Sequence, residues 1–167
     1  MSTRIYLPGD WQGVVERVEV HRMVEAMGDE PSYAERTGYA VTPALRAELP
    51  DCDDEELEHV AMTQAAQESL HHFVTDDGPR RRLVLVVEAT EVEQVDDVAQ
   101  VRAEVSIPGD VVAWLVDTEE AGEDVAAAVE ALDRGDSDAF EEAAERCLDH
   151  ELAWFAATEV DEVMRLR

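Results

Sequence analysis

The sequence predicts an α+β fold: a single-domain two-layer α/β sandwich, with helices packed on one mixed sheet of about four to five strands. Three observations predict it. Residues 83–87 (LVLVV) and 111–116 (VVAWLV) are continuous apolar runs rich in β-branched residues, the pattern of buried central strands. Residues 53–74 instead place Leu57, Val60, Ala61, Ala65, Ser69 and Phe73 at helical spacing. Strand and helix segments interleave with no internal repeat or low-complexity linker, which predicts one domain over residues 1–167.

Residues 4–7 read as a short strand ended by Pro8-Gly9. A helix follows over residues 11–27, with Val14, Val15, Val18 and Met23 as apolar positions and Gly28 as its stop. Its valines leave a strand there as the alternative. Residues 28–37 are polar and read as a loop, and residues 38–41 as a second strand. Thr42-Pro43 supplies a cap and a first helical position for a short turn over residues 44–49, stopped by Pro50. In the 53–74 helix, Asp53 and Glu56 stand like a capping box, and acids fill the first turn, where the helix dipole favours them. Met62, Ala66 and Leu70 widen its apolar face.

Asp76-Asp77-Gly78-Pro79 reads as a turn leading through Arg80-Arg81-Arg82 into the strand at 83–87. Residues 90–101 form an acidic excursion, and residues 102–107 alternate as a strand. Pro108-Gly109-Asp110 turns the chain into the strand at 111–116. Asp117 and Glu120 read as the capping pair of a helix over 119–132 that stops near Gly135. A last helix is expected over 138–164, its stripe traced by Phe140, Ala144, Cys147, Leu148, Leu152, Phe155 and Val163. Leu152, Trp154 and Phe155 cannot share one narrow helical stripe, because successive residues turn by about 100°. The sequence therefore places 150–155 at a groove or a subunit contact.

Forty-one acidic residues stand against 13 basic ones, all arginine, for a net charge of −28. This argues against direct nucleic-acid binding, which needs cations against phosphates. An anionic membrane would repel the chain for the same reason, and no apolar run approaches the ~20 residues of a membrane span. With no lysine, Schiff-base and P-loop lysine chemistry is excluded, and neither G-x-G-x-x-G nor G-x-x-x-x-G-K-[ST] occurs. Acids number 8 in residues 1–50, 14 in 51–100 and 19 in 101–167, a gradient rather than one block. We read this as adaptation to a salty solvent, with an acidic DNA-mimic surface as the alternative. Residues 1–8 carry no long apolar run, and Cys52 and Cys147 are the only cysteines, so a reducing, cytoplasmic location is expected. Cys147 reads as a small core residue, and Cys52, among acids, as a poor nucleophile.

Several segments occur in a characteristic order: Arg4-Ile5-Tyr6-Leu7-Pro8, Tyr39 to Arg46 (YAVTPALR), Glu55 to Met62 (EELEHVAM), Pro79 to Val84 (PRRRLV) and Asp149 to Phe155 (DHELAWF). In that order the chain resembles an uncharacterised family of short acidic proteins from high-GC actinobacteria, over nearly its whole length. Family members are usually less acidic and shorter in the 28–37 loop, so the resemblance implies a salt-tolerant host. It implies a cytoplasmic bacterial protein of unknown function and supplies no activity.

Four groups of residues carry possible chemistry. Glu56 to His59 and Glu68 to His71 each spell Glu-x-x-His, the ligand pattern of di-iron bundles. They lie on one helix, 12 residues apart, about 18 Å along its axis, so no single metal joins them and none is expected. His71-His72 suits a helix C-terminus. His150 with Glu151 and Trp154 is the best candidate for a functional polar cluster. Arg80, Arg81 and Arg82 form a local reversal of the acidic field that suits an anion or a partner carboxylate, or the protein's own acids. No hydroxyl sits in a nucleophile-elbow context.

The expected function is therefore a non-catalytic binding or regulatory module without a cofactor, binding a protein partner or itself. A small acid–base enzyme using His150 with Glu151 is one alternative, and a decoy for a DNA-binding protein is the other. The solvent reading makes one prediction. Self-repulsion at this charge is screened in molar salt, where the Debye length falls to about 3 Å. The melting temperature should rise markedly from low to molar salt; a flat or falling value removes the solvent explanation.

Overall fold

The computed structural model describes residues 1–73 and 78–167. The end of the expected 53–74 helix at Val74, and Asp76-Asp77 of the expected turn, lie outside the described residues. The apolar runs become the centre of a seven-stranded sheet. Its strands are β1 (Thr3–Pro8), β2 (Ala34–Tyr39), β3 (Leu83–Ala89), β4 (Glu93–Gln94), β5 (Gln100–Val105), β6 (Val111–Asp117) and β7 (Leu152–Ala156). They are ordered β4-β5-β2-β1-β3-β6-β7. Every neighbouring pair is antiparallel. The sheet is thus open and antiparallel, not the mixed sheet of about four to five strands expected.

Among the described residues, six α-helices accompany it: α1 (Trp11–Met27), α2 (Pro43–Glu48), α3 (Asp54–Ser69), α4 (Gly122–Arg134), α5 (Ser137–Cys147) and α6 (Val160–Arg165). Alternation along the strands divides the core. Ile5, Leu7, Leu85, Val87, Trp114 and Val116 pack on one face with Trp11, Val14 and Val18 of α1 and Val163 of α6. Tyr6, Val84, Val86, Ala113 and Leu115 pack on the other with Ala61, Ala65 and Ala66 of α3. Both faces carry helices, so the arrangement has three layers rather than two. The Trp11 indole N–H donates to the Arg81 carbonyl at 2.8 Å, which satisfies a buried polar group.

The local signals hold where they are strongest. Gly28 ends α1 in the left-handed region at φ 77°. Thr42 Oγ1 accepts from the Leu45 N–H at 3.0 Å at the start of α2. Asp53 and Glu56 form both bonds of the capping box of α3. That helix ends at Ser69 and passes into a 3₁₀ turn over Leu70–His72. α4 and α5 form a hairpin turning at Gly135, with Asp136 accepting from the Ala139 N–H. Val125, Ala128, Val129, Ala143, Ala144 and Cys147 close the hairpin against Leu70.

Three expectations are corrected. The helix over 138–164 is instead α5, the edge strand β7, a 3₁₀ turn (Ala157–Glu159) and α6. The register pairs Trp114 with Phe155 and Leu115 with Trp154. Neighbours that no single helical stripe accommodates therefore face opposite sides of a sheet, with Phe155 against one core cluster and Leu152 against the other. Next, the presumed 28–37 loop contains most of β2, and the acidic excursion at 90–101 contains β4 and the start of β5. Last, Asp117 caps no helix. It is buried at the end of β6, and a 3₁₀ turn over Glu119–Ala121 precedes α4.

Among the described residues, no helix is long and apolar enough to cross a membrane.

Candidate functional site

Arg82 enters the sheet just before β3, opposite the end of β6, and is 2% exposed. Its Nε donates to Asp117 Oδ2 at 2.8 Å and its Nη2 to Oδ1 at 2.9 Å, a bidentate pair. The Arg82 backbone N–H donates to the same Oδ2 at 2.7 Å. Nη1 donates to Gln67 Oε1 and Nη2 to the His150 carbonyl, both at 3.1 Å. Gln67 in turn donates to the Ala144 carbonyl at 2.9 Å. One guanidinium therefore ties β3, β6, α3 and the α5–β7 turn together.

The neighbouring groups are also engaged. Arg81 Nη1 donates to the Asp117 carbonyl at 2.8 Å, and its Nη2 stands 3.6 Å from Glu119. Arg80 is partly buried at the same strand entrance. The His150 ring lies 2.7 Å from Asp124 Oδ2, while Asp124 Oδ1 accepts from Arg146 Nε at 2.8 Å. The hydrogen bonds from His150 first, and Arg146 second, hold the Asp124 carboxyl below its ordinary range. Its contribution to stability is present above the carboxylate range and is lost as pH falls through the lowered folded value.

The structure thus brings Arg81, Arg82 and the His150 backbone together around Asp117. It leaves Glu151 exposed and Trp154, 65% exposed, projecting from the edge strand. Trp154 shares the sheet face of Leu115, but Leu115 lies under α3 and Trp154 is one strand further out.

Burial pushes the Cys147 thiol up to about 11, so it is a core group rather than a nucleophile. His59 is exposed. The His71 ring packs on Phe140 with centroids 4.9 Å apart. No group of three or more His, Cys, Asp or Glu is placed to hold a metal among the described residues.

A different region offers an open site. β1 and β2 pair only at Tyr6 and Tyr39. There Gly38 brings the strands close: an added Cβ would stand 2.7 Å from both Leu7 Cδ2 and the Tyr6 carbonyl. Beyond that crossing, a cleft of about 370 Å³ lies between the Pro8–Gly9 end of β1 and Glu35, Arg36 and Thr37 of β2. Arg17 of α1 also lines it, with Asp10, Glu68 and His72 among its polar neighbours. A second hollow of about 270 Å³ lies along α1 and shares Arg17, Arg36 and Ile107 with the first.

Burial, and secondarily the positive charge of Arg17, hold the Arg36 guanidinium below its ordinary value. Neither arginine has a carboxylate within ion-pair distance among the described residues. Arg36 Nη1 donates to the carbonyl of Glu35 at 3.2 Å. Neither residue stands out in the sequence. The one legible signal is Gly13, a glycine inside α1 one turn before Arg17.

A family model matches residues 3–164, that of a family of unknown function (DUF6912). No curated protein and no solved structure gives a match.

Proposed function

The chain belongs to the family of unknown function DUF6912, and within it we propose that this protein is a non-catalytic binding module whose site is the cleft between β1 and β2. One observation carries the proposal: Arg17 and Arg36 line a common cleft without a carboxylate partner among the described residues, in a chain of net charge −28. Most of the other arginines face acids, as in Arg4 with Glu58, Arg102 with Glu35 and Glu93, and Arg146 with Asp124. Two cations kept together and partly buried cost stability, and such strain is characteristic of sites retained for ligands. The His150 ring faces Asp124 while Glu151 is exposed, which supports the non-catalytic reading over acid–base chemistry by His150 with Glu151. The lysine-free, acidic composition supports a high-GC, salt-tolerant source and an intracellular setting as part of the same proposal.

Thermal melts of Arg17→Gln and Arg36→Gln, compared with Arg134→Gln as a surface control of equal charge change, test the reading. Relief of the cation pair should leave each melting temperature at or above that of the control, by up to about 4 °C. A fall of several degrees below the control would make the two arginines structural and remove the site.

A second reading, favoured by the exposed Trp154 on edge strand β7, is self-association of two copies through that edge. Sedimentation in molar salt should then show a dimer that Trp154→Ala dissociates. A chain that stays monomeric at every concentration contradicts it.

A further inference from the structure

We propose that Arg17 and Arg36 grip the carboxylate of a small amphipathic monoanion, and that its apolar body lies along Val20, Val24, Val105 and Ile107. The inference rests on the binding-module reading and adds the chemistry of the ligand. Three features lead to it.

The first is the position of the arginines. Both line both hollows, so they stand between the cleft at the end of β1 and a trough along α1 whose apolar wall is set among polar groups such as Glu16, His21 and Ser32. Guanidinium forks match the two oxygens of a carboxylate, and a bound anion relieves the repulsion between the two cations.

The second is the character of the walls. The trough is bounded by Val20 and Val24 on α1, by Val105 at the end of β5 and by Ile107 just beyond it. Val20 is 48% exposed, an apolar surface left uncovered by the described residues. A hydrocarbon or aromatic body fits there, next to the charged head. The rim selects the charge: Asp10, Glu16, Glu35 and Glu68 all line one hollow or the other. These acids, in a field of −28, disfavour a doubly or triply charged phosphate far more than a single carboxylate.

The third is Gly13. A glycine in a helix interior costs about 1 kcal/mol relative to alanine. Here an added Cβ would stand 2.8 Å from Arg17 Nη1 and 2.7 Å from Asp10 Oδ2. The missing side chain is the space that lets the Arg17 guanidinium fold back along α1. A helix built only for stability has no need of that space.

The test is titration of the intact chain at constant ionic strength with octanoate, octanamide and inorganic phosphate, followed by calorimetry and by backbone amide shifts. Octanoate should bind, with shifts centred on α1, β2 and residues 105–107. Arg17→Gln and Arg36→Gln should each weaken it about tenfold or more, the loss of one charge-assisted contact. Gly13→Ala should weaken it as well, while its melting temperature stays level or rises; a purely structural glycine would not separate the two readouts. Octanamide and phosphate should bind at least tenfold more weakly than octanoate.

Equal binding of octanamide at the same residues would overturn the anion inference while leaving a binding cleft in place. Phosphate binding in preference to octanoate would overturn the monoanion assignment. Octanoate binding that both arginine variants leave unchanged would overturn the role of the pair. If none of the three probes shifts the cleft, the inference and the binding-site reading both fail.

Discussion

The pairing of Arg82 with Asp117 is the interaction on which the rest of the arrangement depends. Both residues are almost wholly buried, and the geometry is bidentate. Taking two charges out of water costs several kcal/mol each, which their attraction offsets only when the remaining donors are satisfied. Here they are met by Gln67 of α3 and the carbonyl of His150. Those partners belong to elements far apart in sequence, so the charged pair fixes a single way for α3 and the α5–β7 turn to meet the sheet. The turn matters most. With its carbonyl held at His150, the chain leaves α5 and enters β7 along the exposed side of β6.

The same chemistry separates structural from available charge. Arg81, Arg82 and Arg146, with His150, are committed to carboxylates or carbonyls that hold elements together. Among the described residues, Arg17 and Arg36 hold no such contact to a neighbouring element, although the acidic chain offers partners in abundance. The cleft they line exists because β1 and β2 part after one pair of residues. That parting leaves β2 paired with β5 but without a strand neighbour on its β1 side over part of its length, and the residues there are Glu35, Arg36 and Thr37 rather than valines.

This explains which parts of the fold were legible. α1, α2 and the start of α3 carry local signals, namely a glycine stop, a threonine cap with Pro43 and a capping box, and these signals act within a few residues. β3 and β6 are buried on both faces and announce themselves by continuous apolar runs. Only the end of β2 falls within the strand expected over 38–41, because the part that lines a polar cleft loses the alternation that marks strands. β7 was hidden for another reason: Leu152 to Phe155 is too short and too uniformly apolar to distinguish period 2 from period 3.6. Asp117 sits where a helix cap would sit, and only its distant partner Arg82 shows otherwise. The candidate site was legible only in part. The arginine triplet and His150 stood out by composition, yet the geometry employs Arg81, Arg82 and His150 as structural links. Arg17 and Arg36, 19 residues apart, come together only at the hollows that α1 and β2 both line.

The most direct test of this account is equilibrium urea unfolding of Arg82→Met, Asp117→Leu and the double variant. Each single change leaves an unpaired buried charge and should cost about 3–5 kcal/mol. The double variant removes both charges and should recover a large part of that loss, so its cost falls well below the sum of the two. Single variants within about 0.5 kcal/mol of the native chain, or a double variant whose cost equals the sum, would contradict the central place given to this pair.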